Sequence, residues 1–397
     1  MPELTEFGAV VLVVAAGATA AVLAYRVSER TGVPAAGLLL VAAAISSDVV
    51  PELGQRLSTR DVERLAVVAL IVILFDGGMR VGRRRFAEAV APIVALGIAG
   101  TAVTAVIVAV AAHTLLGVAW SSAAVIGAAL APTDPAVMFS VFGRREVAGR
   151  TATILEGEAG TNDPVGIALT VAAIDVATHG GSSVAHAAAE LVLALAVGLA
   201  VGVVGGAFLA EATPRLSLPG RALYPLWTLS IAGVVYGVAS VAHGSGFLAV
   251  YVAGIVAADA DLPERPTILG FQTSFAGMAE IIVLVALGLT VDVTSLGHGW
   301  LWVDGLVLAA VLLLVARPAG AAPLLLPARL TAGERAFVVW SGLKGAVPIM
   351  LASFALLAGI DDAARIYGIV FIVVACSVLV QGSTIPFAAK RLGVPMR

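Results

Sequence analysis

A short acidic segment interrupts one of the longest apolar stretches of the chain. Glu156, Glu158 and Asp163 lie within residues 151–176, which are otherwise almost free of charge, and Asn162 adjoins the last of them. A charge at the depth of a bilayer costs about 3 kcal/mol or more, so acids in such a place need a physical reason. Intramembrane acids usually mark an ion pathway or a proton relay.

Helical geometry separates these acids by their faces. At about 100° per residue, Glu156 and Asp163 share a face, whereas Glu158 lies about 140° away from Asp163. Arg317, alone in the apolar span 301–327, is the expected partner of Glu158 in a buried ion pair. Asp163 is then left without an assigned counter-charge. A proton or a small cation can neutralise it, and the two would compete for one oxygen site.

The composition indicates an integral membrane protein. Of the 397 residues, 60% are hydrophobic and 12% are charged, and the mean hydropathy is +1.04. Soluble domains carry about 25% charged residues. The one cysteine, Cys376, excludes a disulfide framework, and the five histidines have no ligand spacing, so neither a cofactor nor a resident metal is predicted. The acidic N-terminus predicts no cleavable signal peptide.

Apolar runs between charged or Pro/Gly-rich breaks predict thirteen transmembrane helices. The predicted spans are 7–25, 33–47, 62–79, 88–113, 119–142, 151–176, 184–210, 222–241, 244–258, 268–290, 301–327, 335–358 and 364–390. Loops after odd-numbered spans hold 17 of the 23 basic residues and the other loops hold four. Because basic loops stay cytoplasmic, this multi-pass protein of the cell membrane is expected to have its N-terminus outside and its C-terminus in the cytoplasm.

Two of the predicted spans contain breaks. Pro132 and Pro135 in the fifth span cannot donate to the carbonyls of Ala128 and Ala131, which must find other partners at mid-membrane. The twelfth span breaks in the same way in the glycine- and proline-containing segment 341–348.

These breaks occupy matching positions, because each is flanked by long spans. Spans four to six and eleven to thirteen therefore look like two copies of one unit with inverted topology, which predicts two inverted six-helix repeats. Asp134 could compensate positive half-helix N-termini, and Lys344 could compensate negative C-termini. Interrupted helices in matched repeats are typical of secondary transporters with a site at the midplane.

Other acids carry weaker signals. Asp76 is expected to be a hydrogen-bonding residue at a helix end, next to a basic loop. Glu280, in the middle of span ten, is either a second protonatable group or a residue facing a polar cavity. Asp175 and Glu190 lie near span ends and are expected to be solvated.

Four motifs resemble those of a known family. They are Thr133-Asp134-Pro135, the segment from Glu158 to Asp163, Arg317, and Gly342-Leu-Lys-Gly345. Over nearly its whole length the chain resembles the monovalent cation/proton antiporters of the NhaP and sodium/proton exchanger type. The acidic segment is most similar to that of the CvrA-like potassium/proton antiporters.

The resemblance implies an architecture. It is an all-α membrane protein of the NhaA-like antiporter fold, with thirteen helices, crossed broken helices and assembly as a homodimer in membrane lipid. A core domain of about 88–176 and 301–390 would move as an elevator against a dimerisation scaffold of about 1–80 and 184–290.

The resemblance also implies a site. Asp163 would carry K⁺ or Na⁺ and H⁺ in turn, with Asp134 and Thr133 as further ligands of the alkali cation and Asn162 as the neutral neighbour. The Glu158–Arg317 pair would stabilise the site. The Asn-Asp pair suggests electroneutral one-for-one exchange.

The chain departs from the family pattern at three points. Ala159 stands where a serine commonly supplies a hydroxyl, so coordination is expected to use water or Glu156 instead. Lys344 replaces an arginine, which keeps the charge and loses the bidentate geometry. The chain stops at Arg397, where CvrA-like members usually continue into a cytoplasmic regulatory domain, so it is either truncated or without that control.

Two other function classes compete with antiport. A cation channel or ion-conducting pore is disfavoured by the single buried site, and saturable, gradient-reversible exchange separates the two. An intramembrane hydrolase would need His243 and Ser245 to act together, although both lie at one helix start. No motif predicts a nucleic-acid partner.

Overall fold

The chain is helical through most of its length. A computed structural model describes residues 2–50, 58–134, 137–138, 142, 147–179, 184–297 and 300–396. These residues contain no β-strand, only an isolated antiparallel bridge between Val147 and Met396. The predicted all-α membrane class is therefore confirmed.

The main helices are numbered here in chain order. They are α1 Pro2–Thr31, α2 Ala35–Val49, α3 Thr59–Glu88, α4 Val90–Leu116, α5 Trp120–Leu130, α6 Gly149–His179, α7 Val184–Ala212, α8 Leu223–Val241, α9 Gly246–Ala258, α10 Arg265–Leu289, α11 Leu301–Leu325, α12 Ala332–Trp340, α13 Ala346–Ala358 and α14 Ala363–Arg391.

Seven of the described helices are long and apolar enough to cross a bilayer by length and composition alone. They are α3, α4, the segment Ala188–Arg215 of α7 and its C-terminal turn, α8, α10, α11 and α14. Each of the predicted spans overlaps a described helix. The span predicted over 335–358 overlaps two, because α12 ends at Trp340 and α13 begins at Ala346.

Close helix packing depends on small residues, as is usual without a hydrophobic driving force between helices in lipid. Helices α3 and α9 approach so closely that a β-carbon on Gly78 would overlap the carbonyl oxygen of Tyr251, and one on Gly254 would overlap that of Phe75. Gly206 of α7 meets the backbone of α9 in the same manner. These contacts hold α9 in the interior, where most of its residues are buried.

Helices α4 and α11 share two unusual features. Each contains a π-helical turn, Ala95–Gly100 in α4 and Leu312–Ala316 in α11, and a third such turn lies in α14 at Ser377–Gln381. The two helices cross where Gly100 and Gly320 face each other, and a β-carbon on either glycine would lie within 3.1 Å of the other's carbonyl oxygen. The first helices of the two matched three-span units therefore cross each other at or shortly after a π-helical turn.

Helix α3 continues beyond the predicted end at residue 79 and bends. Gly82 has φ +68°, a conformation that glycine adopts without strain. Beyond the bend, the Arg84 amide donates to Asp259 Oδ2 at 2.9 Å, which ties the end of α3 to the end of α9. The sequence predicts Asp76 at a helix end, but because α3 continues to Glu88, Asp76 lies within the helix.

Candidate functional site

The extended segment after α5 crosses the break between α12 and α13. The amide of Asp134 donates to the carbonyl of Leu343 at 2.8 Å, so the two interruptions are joined by a backbone hydrogen bond. Gly345 is the N-cap of α13, and any side chain there would overlap the Asp134 carboxylate. The carboxylate of Asp134 thus lies at the positive N-terminal end of α13, where negative charge is stabilised.

Both carbonyls that the prolines deprive of a helical partner are hydrogen-bonded. The carbonyl of Ala128, opposite Pro132, accepts the Ala131 amide at 3.3 Å. The carbonyl of Ala131, opposite Pro135, accepts from Lys344 Nζ at 2.8 Å. The same ammonium donates to the Pro132 carbonyl at 2.8 Å, and the lysine is almost fully buried. Lys344 therefore neutralises the negative C-terminal end of α5.

Arg317 performs the equivalent task for α12. Its guanidinium donates to the carbonyls of Val338 at 3.1 Å and Val339 at 3.4 Å, in the last turn of that helix. It also binds both oxygens of Glu158, through Nη1 to Oε1 and through Nη2 to Oε2 at 3.0 Å. Both side chains are buried. Because the pair is bidentate and desolvated, it holds α6, α11 and α12 together.

Asp163 lies on the other side of α6 and has different surroundings. It is 8% exposed, and its Oδ1 is buried without a hydrogen-bond partner in the part of the chain that the structure describes. Next to it, Asn162 Nδ2 donates to Thr133 Oγ1 at 2.8 Å, while Asn162 Oδ1 is also buried and unpartnered. A buried acceptor without a partner costs about 1–3 kcal/mol. Two such oxygens side by side suit a bound proton or a cation.

A cavity of about 330 Å³ leads to Asp163. It can hold roughly ten water molecules, so a partly hydrated alkali cation fits inside. From α6, Glu156 and Ala159 line it together with Asp163, as their shared helical face predicts, and Asp134 lines it as well. The methyl group of Ala159 is 5% exposed and contributes no ligand. Glu158 is absent from the described lining, because it faces Arg317.

Asp76 belongs to a polar cluster that lines this cavity, whereas the sequence predicts it at a helix end beside a basic loop. Its carboxylate accepts from Arg80 Nε at 2.7 Å and from Thr273 Oγ1 at 3.0 Å. All three residues line the cavity, although Asp76 is buried and the Arg80 side chain is 47% exposed. The expected hydrogen-bonding role is observed, but within a helix. The i, i+4 spacing of Asp76 and Arg80 was the signal available in the sequence.

Tyr251 is a site residue that the sequence reasoning missed. It is fully buried, it lines the cavity, and its hydroxyl donates to the carbonyl of Gly157 at 3.4 Å. Gly160 leaves room for its ring, since a β-carbon there would overlap the ring atoms. A tyrosine in the middle of an apolar span was the only available signal, and it did not indicate which helix the ring would contact.

The residues proposed for a hydrolase have a structural explanation. Ser245 is the N-cap of α9, and its hydroxyl accepts from the Leu248 amide at 3.3 Å. His243 has a positive φ of 56° in the turn before this helix. The serine hydroxyl therefore stabilises a helix end.

The sequence matches known proteins throughout. Residues 17–391 match the family described as "Sodium/hydrogen exchanger, transmembrane". The chain is 35% identical over 332 residues to the K⁺/H⁺ antiporter NhaP of Alkalimonas amylolytica, and the alignment covers 83% of this chain and 57% of that protein. It is 32% identical over 384 residues to NhaP2, a K⁺/H⁺ antiporter of Shewanella sp. strain ANA-3, covering 96% and 66%. The chain thus spans about three fifths of the length of these relatives.

A further relative, of which the alignment covers most of the length, is named as an antiporter of Na⁺ instead of K⁺. The Na⁺/H⁺ antiporter NhaH of Halobacillus dabanensis is 26% identical over 365 residues, covering 87% of this chain and 88% of that protein. Among solved structures, that of the sodium proton antiporter MjNhaP1 from Methanocaldococcus jannaschii has a TM-score of 0.79 at 22% identity, covering 94% and 99%. The fold is therefore that of this structure. Because the family match extends over almost the entire chain, the protein belongs to the transmembrane sodium/hydrogen exchanger family.

Proposed function

We propose that the protein is a secondary antiporter that exchanges a monovalent cation, K⁺ or Na⁺, for H⁺ across the cell membrane. The observation that carries this proposal is the buried, unpartnered oxygen of Asp163, a residue that lines a cavity of about 330 Å³. A carboxylate in that position needs a positive charge from outside the protein. The names of NhaP, NhaP2 and NhaH support cation/proton antiport and leave both alkali cations as candidates.

The chemistry of exchange follows from having one such acid, Asp163, at the crossing of the broken helices. A proton and a cation cannot both occupy the same carboxylate oxygen, so binding of one displaces the other. The neighbouring Asn162 is neutral, and the buried acid Glu158 is already compensated by Arg317. One positive charge therefore enters as another leaves, and this makes exchange electroneutral with one cation for one proton.

Further ligands are proposed from the same region. Thr133 is joined to Asn162 by a hydrogen bond, and Asp134 lines the cavity with Asp163. Oxygen ligands of this kind suit alkali cations, which are hard ions. Glu156 lies two helical turns before Asp163 on the same face of α6. It also lines the cavity, where it can bind a cation directly or through water. Ala159 cannot contribute.

The proposed mechanism is an elevator. The core, about 88–176 and 301–390, would carry the site past the scaffold, about 1–80 and 184–290, within a homodimer in membrane lipid. Thirteen crossings in two inverted repeats are supported by the paired π-helical turns of α4 and α11 and by the Gly100–Gly320 crossing. The distribution of basic residues supports an external N-terminus and a cytoplasmic C-terminus.

The decisive experiment compares the protein with Asp163→Asn in proteoliposomes. A proton gradient should drive uptake of a cation in the unaltered protein, and the reverse gradient should drive its release. Asp163→Asn should abolish both while the protein inserts and purifies normally, because the amide cannot exchange a proton for a cation. Exchange by the variant at the normal rate would exclude Asp163 as the carrier.

The same vesicles test the ion and the transport class. K⁺, Na⁺ and Li⁺ are compared at equal ionic strength, and the rates are repeated with an imposed membrane potential. Electroneutral exchange should be insensitive to that potential. Cation flux that does not saturate and does not move protons would identify a channel instead.

A further inference from the structure

A second acid without a partner lines the same cavity. Glu280 lies in the middle of α10, and its carboxylate forms no hydrogen bond or ion pair with any other residue that the structure describes. One face of α10 lines the cavity at helical spacing, through Thr273, Ala276, Gly277, Glu280 and Val283. Glu280 therefore faces the cavity from a helix outside the crossing of broken helices that positions Asp163.

The other acids near the site differ from Glu280 in this respect. Asp76 is bound by Arg80 and Thr273, and Glu158 is bound on both oxygens by Arg317. Arg80 is the one basic side chain among the residues that line the cavity, and its Nε is engaged by Asp76. Among the described residues that line the cavity, Asp163 has one buried oxygen without a partner, and Glu280 forms no hydrogen bond or ion pair.

The position of Glu280 relates to the route of entry. The cavity extends from Asp163 to Arg80, whose side chain is half exposed and precedes the basic residues 83–85. On the proposed orientation this opening is cytoplasmic. A cation entering here passes between the wall formed by α10 and the wall formed by α6.

We propose that Glu280 forms a vestibular cation-binding position, which holds an incoming alkali cation opposite Asp163 before the cation reaches the carrier. This inference rests on the proposed antiport function. The cavity is large enough for the cation to keep part of its hydration shell, so Glu280 can attract it without dehydrating it. An acid in a confined, low-dielectric passage raises the local concentration of cations, and its loss weakens capture more than turnover.

The test measures cation dependence in everted membrane vesicles, where the added cation meets the cytoplasmic opening first. Glu280→Gln should raise the apparent KM for the cation about threefold to tenfold, with the maximal rate changed less than about twofold. Glu280→Asp, which keeps the charge, should restore most of the apparent affinity. Adding an impermeant salt of a large organic cation should reduce the difference between Glu280→Gln and the unaltered protein, because salt screens this attraction.

The controls separate this proposal from the antiport function itself. Glu211→Gln removes an exposed acid that pairs with Arg215 beyond the cavity, and it should leave KM unchanged. If the unaltered protein exchanges cations but Glu280→Gln has an unchanged KM, or loses maximal rate alone with Glu280→Asp failing equally, the vestibular position is refuted and antiport stands. If the unaltered protein shows no exchange, the proposed function fails first.

Discussion

Glu158 and Asp163 lie five positions apart on the same helix and are both buried, yet their surroundings are opposite. The two oxygens of Glu158 are bound by the Arg317 guanidinium. One oxygen of Asp163 is buried without a partner in the described chain, and the residue lines the cavity. The protein itself therefore compensates one buried acid, whereas the other keeps an oxygen for the proton or cation of the proposed exchange. Only the second acid, Asp163, fits the proposed role of ion carrier.

The buried basic residues explain why this difference persists. Arg317 donates to the last carbonyls of α12 as well as to Glu158. Lys344 donates its ammonium to the carbonyls of Ala131 and Pro132 at the end of α5. Each of these two basic side chains therefore donates hydrogen bonds to carbonyls at a helix end. Among the described residues, neither forms an ion pair with Asp163. The helix breaks thus bring positive charge close to the site without an ion pair to the proposed carrier, Asp163.

The largest expected effect on stability comes from breaking the compensated pair. Glu158→Gln should lower the free energy of unfolding by about 3 kcal/mol or more, because it leaves a buried guanidinium without its counter-charge. Asp163→Asn should leave stability unchanged or slightly higher, because it removes an acid whose oxygen lacks a partner. Thermal unfolding of both variants in the same detergent measures the contrast.

Two controls accompany this measurement. Glu190→Gln disrupts an exposed pair with His186 and should shift the unfolding temperature little. The double variant Glu158→Leu, Arg317→Met removes both charges and should recover part of the stability lost with Glu158→Gln. Equal losses for Glu158→Gln and Asp163→Asn would contradict the division of roles between the two acids.

A smaller loss is expected from Lys344→Met. The side chain has a similar length, but the carbonyls of Ala131 and Pro132 lose their shared donor in the interior. We expect a loss of about 2 kcal/mol in stability, since each unsatisfied buried acceptor costs about 1–3 kcal/mol and some regain water. Lys390→Met, at the other lysine of the chain, is the matched control because that residue is exposed. A stable Lys344→Met variant would show that these hydrogen bonds do not support the crossing.

The smallest expected effect is a change in ion selectivity caused by a substitution beside Asp163. Ala159→Ser adds a hydroxyl to the cavity wall beside Asp163. We expect the ratio of K⁺ to Na⁺ apparent affinities to change by about twofold to fivefold, because one more oxygen ligand favours one ion size over the other. Competition between the two ions in proteoliposomes measures this ratio. Ala168→Ser on the same helix lies outside the described lining and should leave the ratio unchanged; a shift of equal size there would remove Ala159 from the site.

Much of the fold was accessible to sequence reasoning because membrane helices are dictated by local composition. Apolar run length predicted helices at all the described positions, and prolines predicted the break near Pro132. The end of α3 was misplaced, because its polar continuation to Glu88 is bound to the end of α9 through Asp259. Such a contact between distant segments leaves no periodic signal.

The acids of the candidate site could be predicted from their place in an apolar span, and helical spacing predicts which of them share a face of α6. Helical spacing alone separates Glu158 from Glu156 and Asp163. The packing of distant helices places the Tyr251 ring and Glu280 at the same cavity as Asp163, and it brings the Lys344 ammonium to the C-terminal end of α5. The physical reason is that spacing sets the direction of a side chain from its own helix, whereas the partner depends on how different helices pack.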